Sequence, residues 1–259
     1  MSKSIPIESA GRTEPGRRRD LNQDIFALRP DLGLFLVVDG MGGHPAGEVA
    51  AAIATEAVQR FYEDGGSPWP ADAIGLPSSP QAFLSASLKH ANSCIRERAA
   101  REPEKHRMGA AIVAMHATGG GFCLAHVGHA RCYRLRNGEL QKLTEDHTQL
   151  TEYIWRGVPL DVAESRPDKD ALSRGLGVRA TVDVTVRMDD ARPGDVVLLC
   201  SNGLYGVLAD RELAAVLAGK SDLDATADAL IAFADARRAA DDATCIVLRW
   251  RATSQRVAA

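Results

Sequence analysis

The chain has 259 residues, of which 45% are hydrophobic and 25% are charged, and its formal net charge is −3. This length and apolar content allow a substantial core, in one large domain or two small ones, and they exclude a disordered or fibrous chain. The near-neutral charge gives no reason to expect nucleic acid as a partner, and no apolar segment is long enough to span a membrane.

Five cysteines are scattered along the chain without a CxxC pair. Four of them lie within apolar segments, which is typical of buried reduced thiols and not of a disulfide framework or a catalytic cysteine. The N-terminal segment lacks the apolar run of a signal peptide. Together these features predict a cytoplasmic protein.

Short apolar segments bounded by Gly and Pro predict strands in the first half of the chain. The dipeptide Asn137-Gly138 predicts a tight hairpin, so the sheet around it is expected to be antiparallel. The predicted strands cover residues 4–12, 24–29, 33–39, 109–116, 122–128, 130–136 and 139–143.

Two helices are predicted between these strands, one after Pro45 and one after Ser79-Pro80, with residues 65–80 as a loop. Each has apolar residues at helical spacing, which predicts one buried face. The expected faces are Val49, Ile53, Ala57 and Phe61 in the first helix, and Phe83, Leu84, Leu88, Ala91 and Ile95 in the second.

Residues 145–180 are polar and interrupted by prolines, so we expect an excursion over the surface with a short helix near 151–157. After it the pattern predicts strands at 183–188, 195–201 and 243–250 and helices at 211–219 and 224–236. This order favours helices layered outside antiparallel sheets over an alternating parallel fold. We expect one domain over residues 1–251 and a short tail at 252–259.

Acids or amides stand at the ends of several predicted strands. Asp39 is the last residue of one strand and Asn202 follows another, while Asp241-Asp242 precede the last strand and Asp24 begins a fourth. Each alone is explained by turn chemistry, because Asp and Asn side chains cap turns. Together they indicate oxygen ligands for a hard divalent cation such as Mg²⁺ or Mn²⁺.

The segment after Asp39, GMGGHPAGE, is rich in glycine and leads into a helix. It lacks both the GK[ST] ending and the GxGxxG spacing of nucleotide-binding loops. Glycines here would instead let the backbone approach a cation, with the carbonyl of Gly40 as a ligand. A zinc site at His44 is not favoured, because the seven histidines show no paired spacing.

Eight motifs in order make the chain resemble the metal-dependent protein phosphatases, the type 2C serine/threonine phosphatases, and among them the compact bacterial members. The resemblance implies an α+β fold, a four-layer α/β/β/α sandwich in which two antiparallel sheets pack face to face between helix pairs. It also implies a variable flap at about 149–171 beside the active site. The motifs lie at 19–24, 37–48, 108–114, 125–140, 143–148, 172–177, 198–204 and 241–249.

The resemblance implies hydrolysis of phosphoserine and phosphothreonine on proteins by a metal-bound water, with two Mn²⁺ or Mg²⁺ ions. Asp39 would bridge the ions, Gly40 would bind one through its carbonyl, and Asp241 would complete a site. Gln23 and Asp24 would meet metal-bound water or a further metal. Arg19 would grip the substrate phosphate, whereas Arg17 and Arg18 are read as a solvated basic patch; His44 is a further candidate for substrate binding.

Three positions depart from the family pattern. Asn202 replaces a metal-binding aspartate, which weakens the metal site shared with Asp241, because an amide brings no charge. His129 and Gly206 replace acids that serve a third, loosely held metal in the family, so that third site is expected to be absent.

Two functions therefore stay open: a weakened phosphatase, and a noncatalytic pseudophosphatase that binds or scaffolds phosphoproteins. Expected partners are a phosphorylated protein and a serine/threonine kinase or its targets, with neither nucleic acid nor membrane involved.

Overall fold

The computed structural model describes residues 7–18, 20–41, 46–66, 79–102, 108–219 and 222–251. Its strands are β1 (Ile7–Glu14), β2 (Asp24–Arg29), β3 (Leu34–Met41), β4 (Gly109–Thr118), β5 (Gly121–Val127), β6 (Arg131–Arg136), β7 (Glu139–Lys142), β8 (Thr185–Asp190), β9 (Val196–Cys200) and β10 (Ala243–Trp250). Its helices are α1 (Gly47–Glu63), α2 (Pro80–Arg101), α3 (Gln149–Trp155), α4 (Leu160–Glu164), α5 (Asn202–Tyr205), α6 (Asp210–Leu217) and α7 (Leu223–Ala236).

The strands form two antiparallel five-stranded sheets. One has the order β2-β3-β4-β5-β8, and the other has the order β1-β10-β9-β6-β7. Helices α1 and α2 cover the outer face of the first sheet, and α6 and α7 cover that of the second. The predicted four-layer α/β/β/α sandwich is confirmed.

Alternation along the strands explains the layers, because successive side chains of a strand point to opposite faces. In β3, Leu34, Leu36 and Val38 pack with the α1 and α2 residues, whereas Phe35 and Val37 pack into the core between the sheets. Both faces of these central strands are therefore apolar, and the space between the sheets forms the third hydrophobic cluster. A polar side chain can reach that space only at its rim.

The hairpin prediction at Asn137-Gly138 is confirmed, since both residues have positive φ, 53° and 85°, as a type I′ turn requires. The face predicted for α1 is only partly right. Ala57 and Phe61 are buried, but Val49 and Ile53 are partly exposed at its border. Smaller residues take the central positions, because alanines let the helix approach the sheet closely; they are Ala50, Ala51 and Ala54.

The prediction that residues 145–180 run over the surface is wrong at several positions, since His147, Ala163 and Leu176 are buried. Leu176 is fully buried and exchanges two backbone hydrogen bonds with Ala110 of β4, at 2.8 and 3.1 Å. Two short helices, α4 and α5, were not predicted, because four or five residues are too few to show a helical period. The predicted tail at 252–259 lies outside the described residues.

None of the helices described here has both the length and the apolar character needed to cross a membrane.

Candidate metal and phosphate site

The site lies at one end of the space between the sheets, beginning with Asp24 and Asp39. The two residues stand opposite each other in the β2–β3 ladder. Asp39 follows Phe35 and Val37 at the period of two, so its side chain is on the face toward the other sheet. Both residues are buried, with 5% and 6% of their surface exposed.

Burial raises the pKa of Asp24 to about 7. The hydroxyls of Ser201 and Thr244, across the gap in the other sheet, lower the pKa, while the negative charges of Asp242 and Asp241 raise it. A carboxyl whose charge is opposed by burial and by neighbouring carboxylates favours a bound cation, because the cation would offset both effects.

Gly40 and Gly47 make a close backbone contact behind Asp39. A Cβ on Gly40 would overlap the carbonyl oxygen of Gly47 and lie 2.6 Å from that of Gln23. The amide of Gly40 donates to the Gln23 carbonyl at 3.0 Å, and the Gln23 side chain donates to Glu48 at 3.2 Å. The start of α1 thus packs directly on the end of β3.

Asn202 and Asp241 enter from the second sheet. Asn202 is the first residue of α5, directly after β9, and its Nδ2 donates to Oδ2 of Asp241 at 3.2 Å. Its Oδ1 is buried without a hydrogen-bond partner among the described residues. Asn202 can therefore still offer an oxygen, while its amide nitrogen contacts the neighbouring carboxylate.

His129 links the two sheets at this point. Its Nδ1 lies 3.7 Å from Oδ2 of Asp39, and its backbone carbonyl accepts a hydrogen bond from the Tyr205 hydroxyl at 2.9 Å. Gly128, with φ of 95°, turns the chain out of β5 just before it. Burial lowers the pKa of His129, and Arg131 adds to this, while Asp146 and Asp241 oppose it. The imidazole is therefore neutral near pH 7.

Asp242, although noted beside Asp241, has a role that the sequence did not reveal. It is 2% exposed, and its two oxygens accept hydrogen bonds from the backbone amides of Gly16 and Gln23, both at 2.8 Å. It thereby holds both ends of the segment that contains Arg19. Arg17 is also fixed, since its amide donates to the Ala239 carbonyl at 3.0 Å and its side chain pairs with Asp235 at 2.9 Å.

An open cleft of about 360 Å³ is lined by residues of this site, among them His129, Asn202 and Asp241. Its rim contains a bidentate ion pair between Arg131 and Asp146, with contacts of 2.6 to 3.1 Å, and the Arg131 guanidinium lies 3.6 Å over the Tyr205 ring. Sequence reasoning missed this rim, although the motifs at 125–140 and 143–148 include both charged residues. The lining residues include His129, Thr148, Asp170, Asn202, Gly206 and Asp241.

Gly206 directly follows α5, and its amide donates to the Asn202 carbonyl at 2.8 Å. Because it is a glycine, it contributes no side chain to the cleft. Arg19 and His44, predicted to bind phosphate and substrate, lie outside the described residues. Of the residues predicted for the metal site, Gln23, Asp24, Asp39 and Gly40 therefore come from the first sheet, and Asn202 and Asp241 come from the second.

Among the side chains that the structure describes, no three from His, Cys, Asp and Glu converge closely enough to hold a metal ion by themselves. The donors present fit a hard cation that keeps several waters, because they combine few carboxylates with a backbone carbonyl and an amide oxygen. The buried, unpartnered Oδ1 of Asn202 supports that fit. Asp39, Gly40 and Asp241 are the residues that would hold such an ion.

A family profile described as "Protein phosphatase 2C" matches residues 15–242, which is most of the chain. The chain therefore belongs to the protein phosphatase 2C family, as the resemblance of its motifs predicted. The match includes every residue predicted for the metal and substrate site.

Individual relatives and solved structures are similar to this chain over most of their length. The chain is 30% identical over 241 residues to the serine/threonine phosphatase stp of Listeria welshimeri, covering 92% of this chain and 93% of that protein. The crystal structure of the Mycobacterium tuberculosis serine/threonine phosphatase PstP/Ppp superposes with a TM-score of 0.83 at 30% identity, covering 95% and 99% of the two chains. The catalytic domain of PstP in complex with two manganese ions superposes with a TM-score of 0.77 at 29% identity, over 95% of this chain and 99% of that one.

Proposed function

We propose that this protein hydrolyses phosphoserine and phosphothreonine on protein substrates, with two Mn²⁺ or Mg²⁺ ions and a rate lowered by Asn202. The observation that carries the proposal is that His129, Asn202 and Asp241 line one cleft. His129 lies 3.7 Å from Asp39 of the first sheet, and Asn202 donates to Asp241 beside the second sheet. The serine/threonine phosphatases among its relatives support the substrate class.

The residues divide the work as follows. Asp39, Asp241 and the Gly40 carbonyl hold the cations, and Asn202 adds a neutral oxygen. When bound, the cations offset the repulsion between a phosphate dianion and its nucleophile and activate water at neutral pH. Asp24 and Gln23 orient water at the first sheet. Arg19 binds the substrate phosphate, and Asp242 positions its segment through the amides of Gly16 and Gln23.

The third cation site of the family is absent in this proposal, because neither Gly206 nor His129 supplies the acid that the family pattern has at its position. The flap at about 149–171, which includes α3 and α4, contacts the substrate protein. The partners are a serine/threonine kinase or its targets. We place the protein in the cytoplasm.

The direct test is release of phosphate from a phosphothreonine peptide as Mn²⁺ is raised into the millimolar range. Release should require Mn²⁺ and should be lost in Asp39→Asn and Asp241→Asn. Arg19→Ala should raise KM and lower kcat, whereas the matched control Arg18→Ala, which changes an exposed neighbour in the same arginine run, should resemble the unchanged protein. Absence of Mn²⁺-dependent release would contradict hydrolysis.

A noncatalytic phosphoprotein-binding module is the second candidate. This candidate is favoured by the hydrogen bond from Asn202 to Asp241, because the bond can hold the Asp241 carboxylate in place without a cation. Calorimetry would then show that the phosphopeptide binds without being hydrolysed, and that Arg19→Ala abolishes this binding.

A further inference from the structure

His129 is a buried polar side chain beside Asp39, and the family pattern does not supply a role for it. Its side chain is only 14% exposed, and its Nδ1 has no hydrogen-bond partner among the described residues. The oxygen that faces it, Oδ2 of Asp39, is 3.7 Å away. This separation is too long for a hydrogen bond between the two atoms.

The same separation suits two ligands of one cation. Ligand atoms that are each about 2.1 Å from a divalent ion lie roughly 3 to 4 Å from each other. Asn202 Oδ1 is a second buried atom of this cleft without a hydrogen-bond partner in the described part of the chain. A nitrogen that faces Asp39 and an amide oxygen of the same cleft thus both have free lone pairs.

The backbone of His129 is held on both sides. Tyr205 donates to its carbonyl, and the amide of the preceding Gly128 donates to Nδ1 of His147 at 3.1 Å. The ring of Tyr205 is in turn covered by Arg131. Such support of a side chain by its surroundings is what a ligand position requires, because a ligand that is already oriented loses little entropy when it binds.

We propose that His129 is a metal ligand, whose Nδ1 joins Asp39 in a mixed nitrogen and oxygen site that prefers Mn²⁺, Co²⁺ or Zn²⁺ over Mg²⁺. The proposal rests on the proposed role of Asp39 as a metal ligand. Imidazole nitrogen suits first-row transition metals, whereas Mg²⁺ selects oxygen ligands. The histidine at position 129, in place of the acid of the family pattern, therefore changes which metal the site prefers.

Pulsed electron paramagnetic resonance of bound Mn²⁺ tests this directly, because a coordinated imidazole gives a nitrogen modulation. The protein should carry no histidine tag. We expect the modulation in the unchanged protein, and we expect it to take the ¹⁵N form when only histidines are labelled with ¹⁵N. This measurement needs no variant and so does not depend on how a variant folds.

His129→Asp should remove the modulation while Mn²⁺ still binds, and it should lower the preference for Mn²⁺ over Mg²⁺ in calorimetry by about tenfold. The matched control is His116→Gln. His116 also has a buried, unpartnered Nδ1 among the described residues, but it packs on Tyr62 of α1, on the helix side of the first sheet. This control should keep both the modulation and the metal preference.

Mn²⁺ bound to the unchanged protein without a histidine nitrogen coupling would overturn this inference and leave the phosphatase proposal intact. A coupling that His129→Asp removes, in a protein that hydrolyses no phosphopeptide, would support this inference and contradict the phosphatase proposal. A coupling that persists in His129→Asp would overturn this inference. Failure to bind Mn²⁺ at millimolar concentration would overturn both.

Discussion

The side-chain amide of Asn202 donates a hydrogen bond of 3.2 Å to a carboxylate oxygen of Asp241. These two residues follow and precede neighbouring strands, β9 and β10, which pair in the second sheet. An aspartate in place of Asn202 would put two negative charges at this distance. The amide of Asn202 therefore lets the two side chains pack together without a cation. It also removes one negative charge that would attract a cation.

Asn202→Asp should therefore lower the stability of the metal-free protein by roughly 1–3 kcal/mol, because two close carboxylates repel each other. Mn²⁺ should then raise the melting temperature more than it does in the unchanged protein. Hydrolysis of p-nitrophenyl phosphate in Mn²⁺ should rise by about tenfold or more. Melting scans with EDTA and with Mn²⁺ check the first two effects, and equal scans for both proteins would contradict the explanation.

Asp24→Asn should stabilise the metal-free protein at neutral and alkaline pH. Burial raises the pKa of Asp24 from 3.8 to about 7, so the folded protein holds a proton that the unfolded chain releases. The contribution of Asp24 to the free energy of unfolding is fully present below about pH 4 and is lost as the pH rises through about 7. The variant should melt about 2–5 °C higher at pH 8 and equally near pH 4. Urea titrations in EDTA across this range test it; a difference independent of pH would refute it.

Gly40→Ala should destabilise the protein by about 1–3 kcal/mol, since its Cβ would overlap the Gly47 carbonyl and push α1 away from β3. The same shift should weaken Mn²⁺ binding, because Gly40 follows Asp39. Gly120→Ala is the matched control: a Cβ there meets nothing within 4 Å, and the change should stay within about 0.5 kcal/mol. Similar urea midpoints for the two variants would contradict this account of the contact.

His147→Asn should reduce the fall in the free energy of unfolding that occurs as the pH is lowered. His147 stacks on His126 with ring centres 4.6 Å apart, and burial lowers its pKa to about 3, with His126 and Arg174 adding to the effect. The unfolded chain takes up this proton from about pH 6.5 downward and the folded protein does not, so stability falls by up to about 1.4 kcal/mol per pH unit.

Asparagine can still accept the hydrogen bond from the Gly128 amide, which His147 now accepts through Nδ1. The loss of stability between pH 6.5 and 4 should therefore be smaller in the variant. Chemical unfolding at several pH values measures it, and an unchanged slope would show that another group dominates in acid.

Local pattern was enough for much of the fold. A short apolar segment with Gly and Pro punctuation predicted β2 at its observed bounds, and Asn137-Gly138 predicted the hairpin that follows β6. The order of elements favoured helices outside antiparallel sheets. The same pattern put Asp39 and Asn202 at or next to strand ends, although β3 continues past Asp39 to Met41.

Tertiary structure decided which distant segments meet. β8 and β9 are separated by five residues, yet β8 joins the edge of the first sheet and β9 lies inside the second. No local period could predict that, nor that Leu176 would return to the core beside Ala110. The contacts of Asp242 with Gly16 and of His129 with Asp39 are of the same kind.

The sequence by itself thus determined the residue types and the expected strand ends, because these depend on composition and local spacing. Its resemblance to the family identified the departures at His129, Asn202 and Gly206. Only the tertiary structure decided that His129 faces Asp39 and that Asn202 bonds to Asp241, because those contacts join residues that are far apart in the chain. The physical reason is that periodicity records which face of a strand is buried, whereas the partner on that face is set by how two whole sheets pack.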